Sequence, residues 1–158
     1  MQIPSGLLFV NPIGMKYIKV GCNPTYTKKN MGQSLVQNYV HIVFSTKYRE
    51  ALIKPPYEQE LHAYLGGTCK ELECPVFIVG GYTDHVHILC MLSKKIALMT
   101  LVQKIKANSS KWMKTKDKSL KNFFWQDGYG AFSVNPSEVD VVINYIKNQH
   151  EHHSKKRV

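Results

Sequence analysis

No two cysteines in this 158-residue chain stand at CxxC spacing: the four occupy positions 22, 69, 74 and 90. That spacing excludes a zinc ribbon and a dense disulfide framework, and reduced thiols are the expectation. Acidic residues are scarce, 11 against 21 lysines and arginines, for a formal net charge of +10 and a pI near 9.4. Such an imbalance argues for a polyanionic partner, nucleic acid before membrane. No apolar run approaches the roughly 20 residues of a membrane helix, and no signal peptide opens the chain. A cytoplasmic location is therefore expected, with nucleoid association when DNA is bound. Internal repeats and low-complexity tracts are also missing, which excludes solenoids and linker-like tails.

What is present fits one ordinary domain with a real core: 44% of residues are hydrophobic. The basic residues are concentrated. From Lys94 to Lys121 nine lysines meet a single acid, Asp117, so this segment carries +8 of the +10. Lys155-Lys156-Arg157 forms a second, smaller patch. Residues 1–30 hold Pro4, Gly6, Pro12, Gly14, Gly21 and Pro24 without sustained period. They are read as a loosely ordered extension, with the domain at 31–158. The alternative is a short edge hairpin of Leu7–Val10 and Tyr17–Val20.

Periodicity then sets the elements. Tyr39–Phe44 is β-branched and aromatic and reads as a first strand. Lys54–Cys69 reads as a helix opened by Pro55-Pro56, with Tyr57, Leu61, Tyr64, Leu65 and Leu72 at helical spacing. Pro75–Val79 is a strand that Gly80-Gly81 should break, and His85–Leu92 is the next. A long helix follows from about Ile96 to Lys116, with Leu98, Leu101, Val102, Ile105, Ser109, Trp112 and Met113 on one face. Phe123–Tyr129 is an aromatic loop and Ala131–Val134 a short strand. Asn135, Pro136 and Glu138 mark the start of a last helix, whose expected buried stripe is Val139, Val142, Ile143 and Ile146 and whose polar stripe is Tyr145, Gln149 and His152. The order β-α-β-β-α-β-α predicts an α+β fold: a ferredoxin-like, RRM-like split β-α-β antiparallel sheet with an added C-terminal helix.

Chemistry concentrates in two places. His85 and His87 flank Val86 in a strand, so both imidazoles share a face. Tyr145 and Gln149 stand four apart in a helix and also share a face. If the faces meet, they make a one-metal site beside a phenol, suited to cutting a phosphodiester through a covalent phosphotyrosine. Each signal alone is weak. Two histidines on a strand are more often ordinary packing, and a tyrosine on an amphipathic helix usually is. A histidine-triad hydrolase would need a third histidine where Leu89 stands. A zinc hydrolase would want a further His, Asp, Glu or Cys ligand. Asp84 would face away in a regular strand, and Cys90 lies at odd spacing from His87.

Four ordered runs, Tyr39–Arg49, Tyr82–Leu89, Phe124–Val134 and Tyr145–His153, resemble the single-tyrosine HUH transposases of small bacterial insertion sequences. The resemblance spans about residues 33–153, with the extension 1–30 as its one departure. It implies that His85, His87 and Gln149 hold one divalent metal per site, Mg2+ or Mn2+, and that Tyr145 is the nucleophile. It further implies single-stranded DNA with hairpin ends as substrate, a homodimer, and no nucleotide cofactor. A basic groove with aromatic stacking suits such a strand. Lys104, Lys106, Lys111 and Lys114 are candidate phosphate contacts, and Trp125 and Tyr129 candidate stacking residues; Phe132 is a further candidate, though for Phe123, Phe124 and Phe132 core packing is the preferred reading. The competing reading is a non-catalytic or domesticated single-strand or hairpin-binding protein on the same fold. An RRM-type sheet, however, carries aromatics where the histidines stand here. A relaxase or replication nuclease of the same superfamily is more distant, because those proteins are usually larger.

Overall fold

The computed structural model describes residues 8–10, 16–18 and 35–149. The chain divides into two units, 1–35 and 36–158. In the first, β1 (Leu8–Val10) pairs antiparallel with β2 (Lys16–Ile18) as a sheet of two strands. β1 falls within the expected Leu7–Val10, whereas β2 starts one residue before the expected Tyr17–Val20 and ends at Ile18, and the pair forms a sheet of its own, not an edge of the larger one; the rest of the 1–30 extension lies outside the described residues. So do His152 and the basic run at 155–157.

The second unit runs β3 (Tyr39–Ser45), α1 (Tyr57–Glu71), β4 (Val76–Tyr82), β5 (His85–Met91), α2 (Leu98–Met113), β6 (Gly130–Val134) and α3 (Val139–Lys147). Its four strands are antiparallel in the order β4-β5-β3-β6. This is the expected split β-α-β sheet with an added helix, and β5, the histidine strand, is central.

Alternation along the strands divides the sheet into two faces. Val40, Ile42 and Phe44 of β3 and Val86, Ile88 and Cys90 of β5 join Leu61, Leu65 and Cys69 of α1 and Leu101, Val102, Ile105 and Met113 of α2 in one apolar core. The α2 stripe read from sequence is the buried one, with Leu98 and Trp112 at its margin. Cys69, Cys74 and Cys90 are buried free thiols; burial pushes Cys69 up to about 12, so it is inert as a nucleophile at neutral pH. Among the described residues no helix is long and apolar enough to cross a membrane.

The other face receives α3. Here two expectations change. β4 runs through Gly80-Gly81 instead of ending at them. A Cβ on Gly80 would stand 2.7 Å from Ile146 Cγ2 and 3.1 Å from the Ile146 carbonyl oxygen. The glycine therefore lets α3 lie against the strand, a close-approach role in place of a break. The helix is also less buried than its pattern suggests. Ile146 is buried, Val139, Val142 and Ile143 are half-buried, and Val141 is exposed. Asn135 does cap, but it caps the 3-10 turn Pro136–Glu138 before α3, accepting from the Ser137 N–H at 3.0 Å.

Candidate active site

Strand register gathers the polar residues. Across β3 and β5, Ser45 pairs with His85, Val43 with His87 and His41 with Leu89. Across β3 and β6, His41 pairs with Phe132. Directly opposed residues share a face, so His41, His85, His87 and Phe132 all lie on the face away from the apolar core. Because β5 is central and covered on both sides, His85 and His87 are only 6% and 5% exposed.

The third histidine was not singled out in the sequence. His41 Nε2 lies 2.9 Å from His87 Nδ1, with the two rings stacked at 5.1 Å. Burial holds the His41 imidazole below its usual range. The signal for it was available: His41 alternates with Val40 and Ile42, but its partner could be recognised only once register was known.

Asp84 also departs from expectation. It sits in the two-residue turn Thr83–Asp84 between β4 and β5, so strand alternation does not govern it. Buried Thr46 holds the Asp84 carbonyl through its N–H at 2.8 Å and its hydroxyl at 3.1 Å. The carboxylate turns back onto His85, Oδ1 to Nδ1 2.6 Å, and takes Arg49 on Oδ2 at 3.0 Å. Partial burial raises the Asp84 carboxyl, but the hydrogen bond from His85 and the charges of His85 and Arg49 outweigh it and hold the group below the ordinary carboxylate range.

Helix α3 brings the phenol to these histidines. The Tyr145 ring stands edge-on to His87 at 5.7 Å and to His41 at 6.2 Å between centroids. It is 46% exposed, while Gln149, one turn on and just past the end of α3, is buried. The Gln149 side-chain amide N–H points to the Tyr145 carbonyl at 3.4 Å. All four sequence-predicted residues, His85, His87, Tyr145 and Gln149, border one cleft of about 630 Å³. Its far wall is the loop Gln126–Gly130, with Arg49 and Phe132. Among the described residues no cluster of three or more His, Cys, Asp or Glu is placed to hold a metal. The donors available here are of a different kind, two imidazoles and an amide oxygen.

The residues expected to contact DNA are scattered. Tyr129 borders the cleft. Trp125 does not: it is buried between Phe44 and Phe123, and its indole N–H donates to Ser109 Oγ at 2.9 Å. It is a core residue with no face to offer a base. Lys106 turns inward, donating to the Gln126 and Gly128 carbonyls at 2.6 and 2.8 Å, and so fixes the loop wall. Burial lowers its pKa, against the opposing charge of Asp127. Lys104 and Lys111 are exposed on α2, in the helical layer on the apolar side of the sheet. Lys114 lies over the Phe124 ring, 3.6 Å from its centroid. Of the three phenylalanines assigned to packing, only Phe123 is in the core; Phe124 and Phe132 are 48% and 60% exposed.

The fold and site thus define an α+β protein whose split β-α-β sheet carries histidines on its central strand, with a tyrosine from the added helix set beside them in one cleft. The profile of the family described as "Transposase IS200 like" matches residues 34–149, and the chain belongs to that family. Among the solved structures that share the fold are two transposases. One is a Deinococcus radiodurans R1 protein assigned as a transposase, with a TM-score of 0.60 and 20% identity, covering 77% of this chain and 97% of that one. The other is a REP-associated tyrosine transposase bound to a REP hairpin, with a TM-score of 0.58 and 13% identity, covering 79% and 74%. No curated protein matches the chain.

Proposed function

We propose that the protein cleaves and rejoins single-stranded DNA at the ends of an insertion sequence, with Tyr145 as nucleophile. The observation that carries this reading is the placement of the Tyr145 ring 5.7 Å from the His87 ring, in one cleft with His85 and Gln149. We assign this work to residues 31–158, and none of it to the extension 1–30.

The residues fit a divalent ion. Asp84 engages His85 at Nδ1 and His41 engages His87 at Nδ1. In both rings the atom that would ligate is then Nε2. Carboxylates and other partners on the second nitrogen orient metal-binding histidines in this way and set their tautomer. Gln149, with its amide nitrogen turned to Tyr145, would offer Oε1. Two imidazoles and an amide oxygen are compatible with Mg2+ or Mn2+. When bound, such an ion supplies Lewis-acid polarisation of the scissile phosphate.

The chain's own residues do the rest. The Tyr145 hydroxyl oxygen attacks phosphorus and forms the new P–O bond. The bond to the 3′ oxygen breaks, and that oxygen leaves as a 3′-hydroxyl after gaining a proton, while the phenol gives one up. The product is a 5′-phosphotyrosine. A 3′-hydroxyl of another strand can then attack it, restoring a phosphodiester and the free phenol. One phosphoester replaces another at each step, so no nucleotide cofactor is consumed. The exposure of Tyr145 leaves room for a strand to approach. A single strand with hairpin ends is the substrate favoured by the cleft, by the +10 charge and by the hairpin-bound neighbour of the same fold.

A denaturing gel tests the reading. Labelled single-stranded DNA carrying the flanking element end is mixed with the protein, with Mg2+ or Mn2+ or neither. A metal-dependent, protease-sensitive upshift that disappears in Tyr145→Phe is expected, with native-gel binding retained. Cleavage at a normal rate by Tyr145→Phe would rule out Tyr145 as nucleophile.

A further inference from the structure

Beside the cleft lies a second feature that its chemistry does not use. Tyr48 is 77% exposed, the Phe124 ring 48%. The two are joined by backbone: the Lys47 N–H donates to the Phe124 carbonyl at 2.8 Å, and the Tyr48 N–H to the side-chain oxygen of Gln126, a cleft residue, at 3.1 Å. Lys47 Nζ lies over both rings, 5.3 Å from the Tyr48 centroid and 6.0 Å from that of Phe124. Lys114 covers Phe124 as well. Arg49, the next residue, lines the cleft.

The backbone here is costly. Tyr48 and Arg49 have φ of 57° and 56°, a left-handed conformation that bulky side chains rarely adopt. Two such residues in succession persist only where surrounding bonds hold them, and strain of this kind gathers at functional sites. In this case the strain turns a large aromatic ring out into solvent, which packing would not select.

We propose that Tyr48 and Phe124, with Lys47 and Lys114, form a stacking platform for unpaired bases of the DNA strand beyond the cleft. Bases stack on the two rings, and the lysines meet the flanking phosphates. Every base has a π-face, so such a platform holds a strand without reading its sequence. The proposal rests on the single-strand reading of the cleft and adds a second site to it.

The test uses the full chain, wild type and Tyr48→Asn, with Tyr48→Gly as a second variant. Asparagine and glycine accept a positive φ more readily than tyrosine, so urea unfolding midpoints should stay level or rise. Affinity is measured by fluorescence anisotropy for labelled oligo(dA) and for an abasic strand of equal length. The abasic strand carries the same phosphates and no bases. The expected result is oligo(dA) binding weakened by between about 5-fold and about 150-fold, the range for losing one base–aromatic stack, with abasic binding unchanged. Unchanged oligo(dA) affinity, or equal weakening for both strands, would overturn the platform. Wild-type protein that binds both strands equally well would overturn it too, while leaving the cleft reading standing. Wild-type protein that binds neither strand would also overturn the platform, while the cleft reading is judged separately by adduct formation on element-end DNA.

Discussion

Gly80→Ala should separate catalysis from DNA binding. The added Cβ would meet Ile146 Cγ2 at 2.7 Å and the Ile146 carbonyl oxygen at 3.1 Å. Carbon atoms in contact settle at about 3.5–4.0 Å. The oxygen is backbone, and a β-branched side chain has few alternative rotamers in a helix. Relief must therefore come from α3 moving off β4 by about 1 Å. Tyr145 immediately precedes Ile146 and moves with it. A displacement of about 1 Å at a reacting group costs on the order of 100-fold in rate, or about 2.7 kcal/mol of barrier. The overpacking itself costs about 1–3 kcal/mol of stability, within the margin of an ordinary domain. The assay is the single-turnover rate of phosphotyrosine formation on a denaturing gel, with affinity for the same DNA followed on a native gel. Adduct formation roughly 100-fold slower, at near-normal affinity, is expected. Gly67→Ala is the control: nothing lies within 4 Å of a Cβ there, in the interior of α1, so the change should be neutral or stabilising. An adduct rate for Gly80→Ala within about 3-fold of wild type would refute the packing of α3 on β4 as what sets the nucleophile.

His41→Ala should weaken Mn2+ binding by about 10- to 100-fold, the usual cost of losing a partner that orients a metal-bound histidine. His41→Gln, which can still accept from His87 Nδ1, should recover most of it. Electron paramagnetic resonance titration of Mn2+ measures both, and an affinity for His41→Ala within about 2-fold of wild type would deny His41 that role. Trp125→Ala should cost about 3–5 kcal/mol in urea unfolding, as for a buried aromatic. Phe132→Ala should change stability by no more than about 0.5 kcal/mol and instead weaken single-strand binding. A Trp125→Ala protein of normal stability would contradict the core assignment. Replacing Lys104 and Lys111 by Ala should leave the salt dependence of DNA affinity nearly unchanged, because both lie on the apolar-side layer. A log–log slope smaller by about two would route the strand across α2.

What could be read in the sequence was what short-range periodicity encodes. The pair at 85 and 87 needed only strand alternation, and the pair at 145 and 149 only helical spacing; the structure brings both to the same cleft. Residues whose role depends on a distant element were misread or passed over. Gly80 is a strand breaker or a landing place for a helix depending on what lies above it, and α3 arrives some 60 residues later. His41 looked like any strand residue until register placed it diagonal to His87. Trp125 and Phe132 stand in one aromatic stretch, and nothing local says that the first points into the core and the second out of it. Asp84 was judged by the rule of a strand, although it belongs to the turn that starts one.

The two faces of the sheet explain why the histidines and the nucleophile differ in how they are held. β5 is hydrogen-bonded on both edges, and its Val86, Ile88 and Cys90 are locked into the core, so the backbone carrying His85 and His87 on the opposite face is fixed, and Asp84 and His41 bond their rings. α3 has nine residues and one fully buried side chain, Ile146. Helices this short are marginal on their own, so its position depends on its packing against the sheet, closest where Gly80 admits Ile146 and where the Tyr145 ring meets His87 and His41. Elements with few buried contacts are those that open locally at low cost. On the proposed reading, the histidines that would hold the ion sit on the fixed central strand, and the group that would become attached to the DNA sits on the less buried helix.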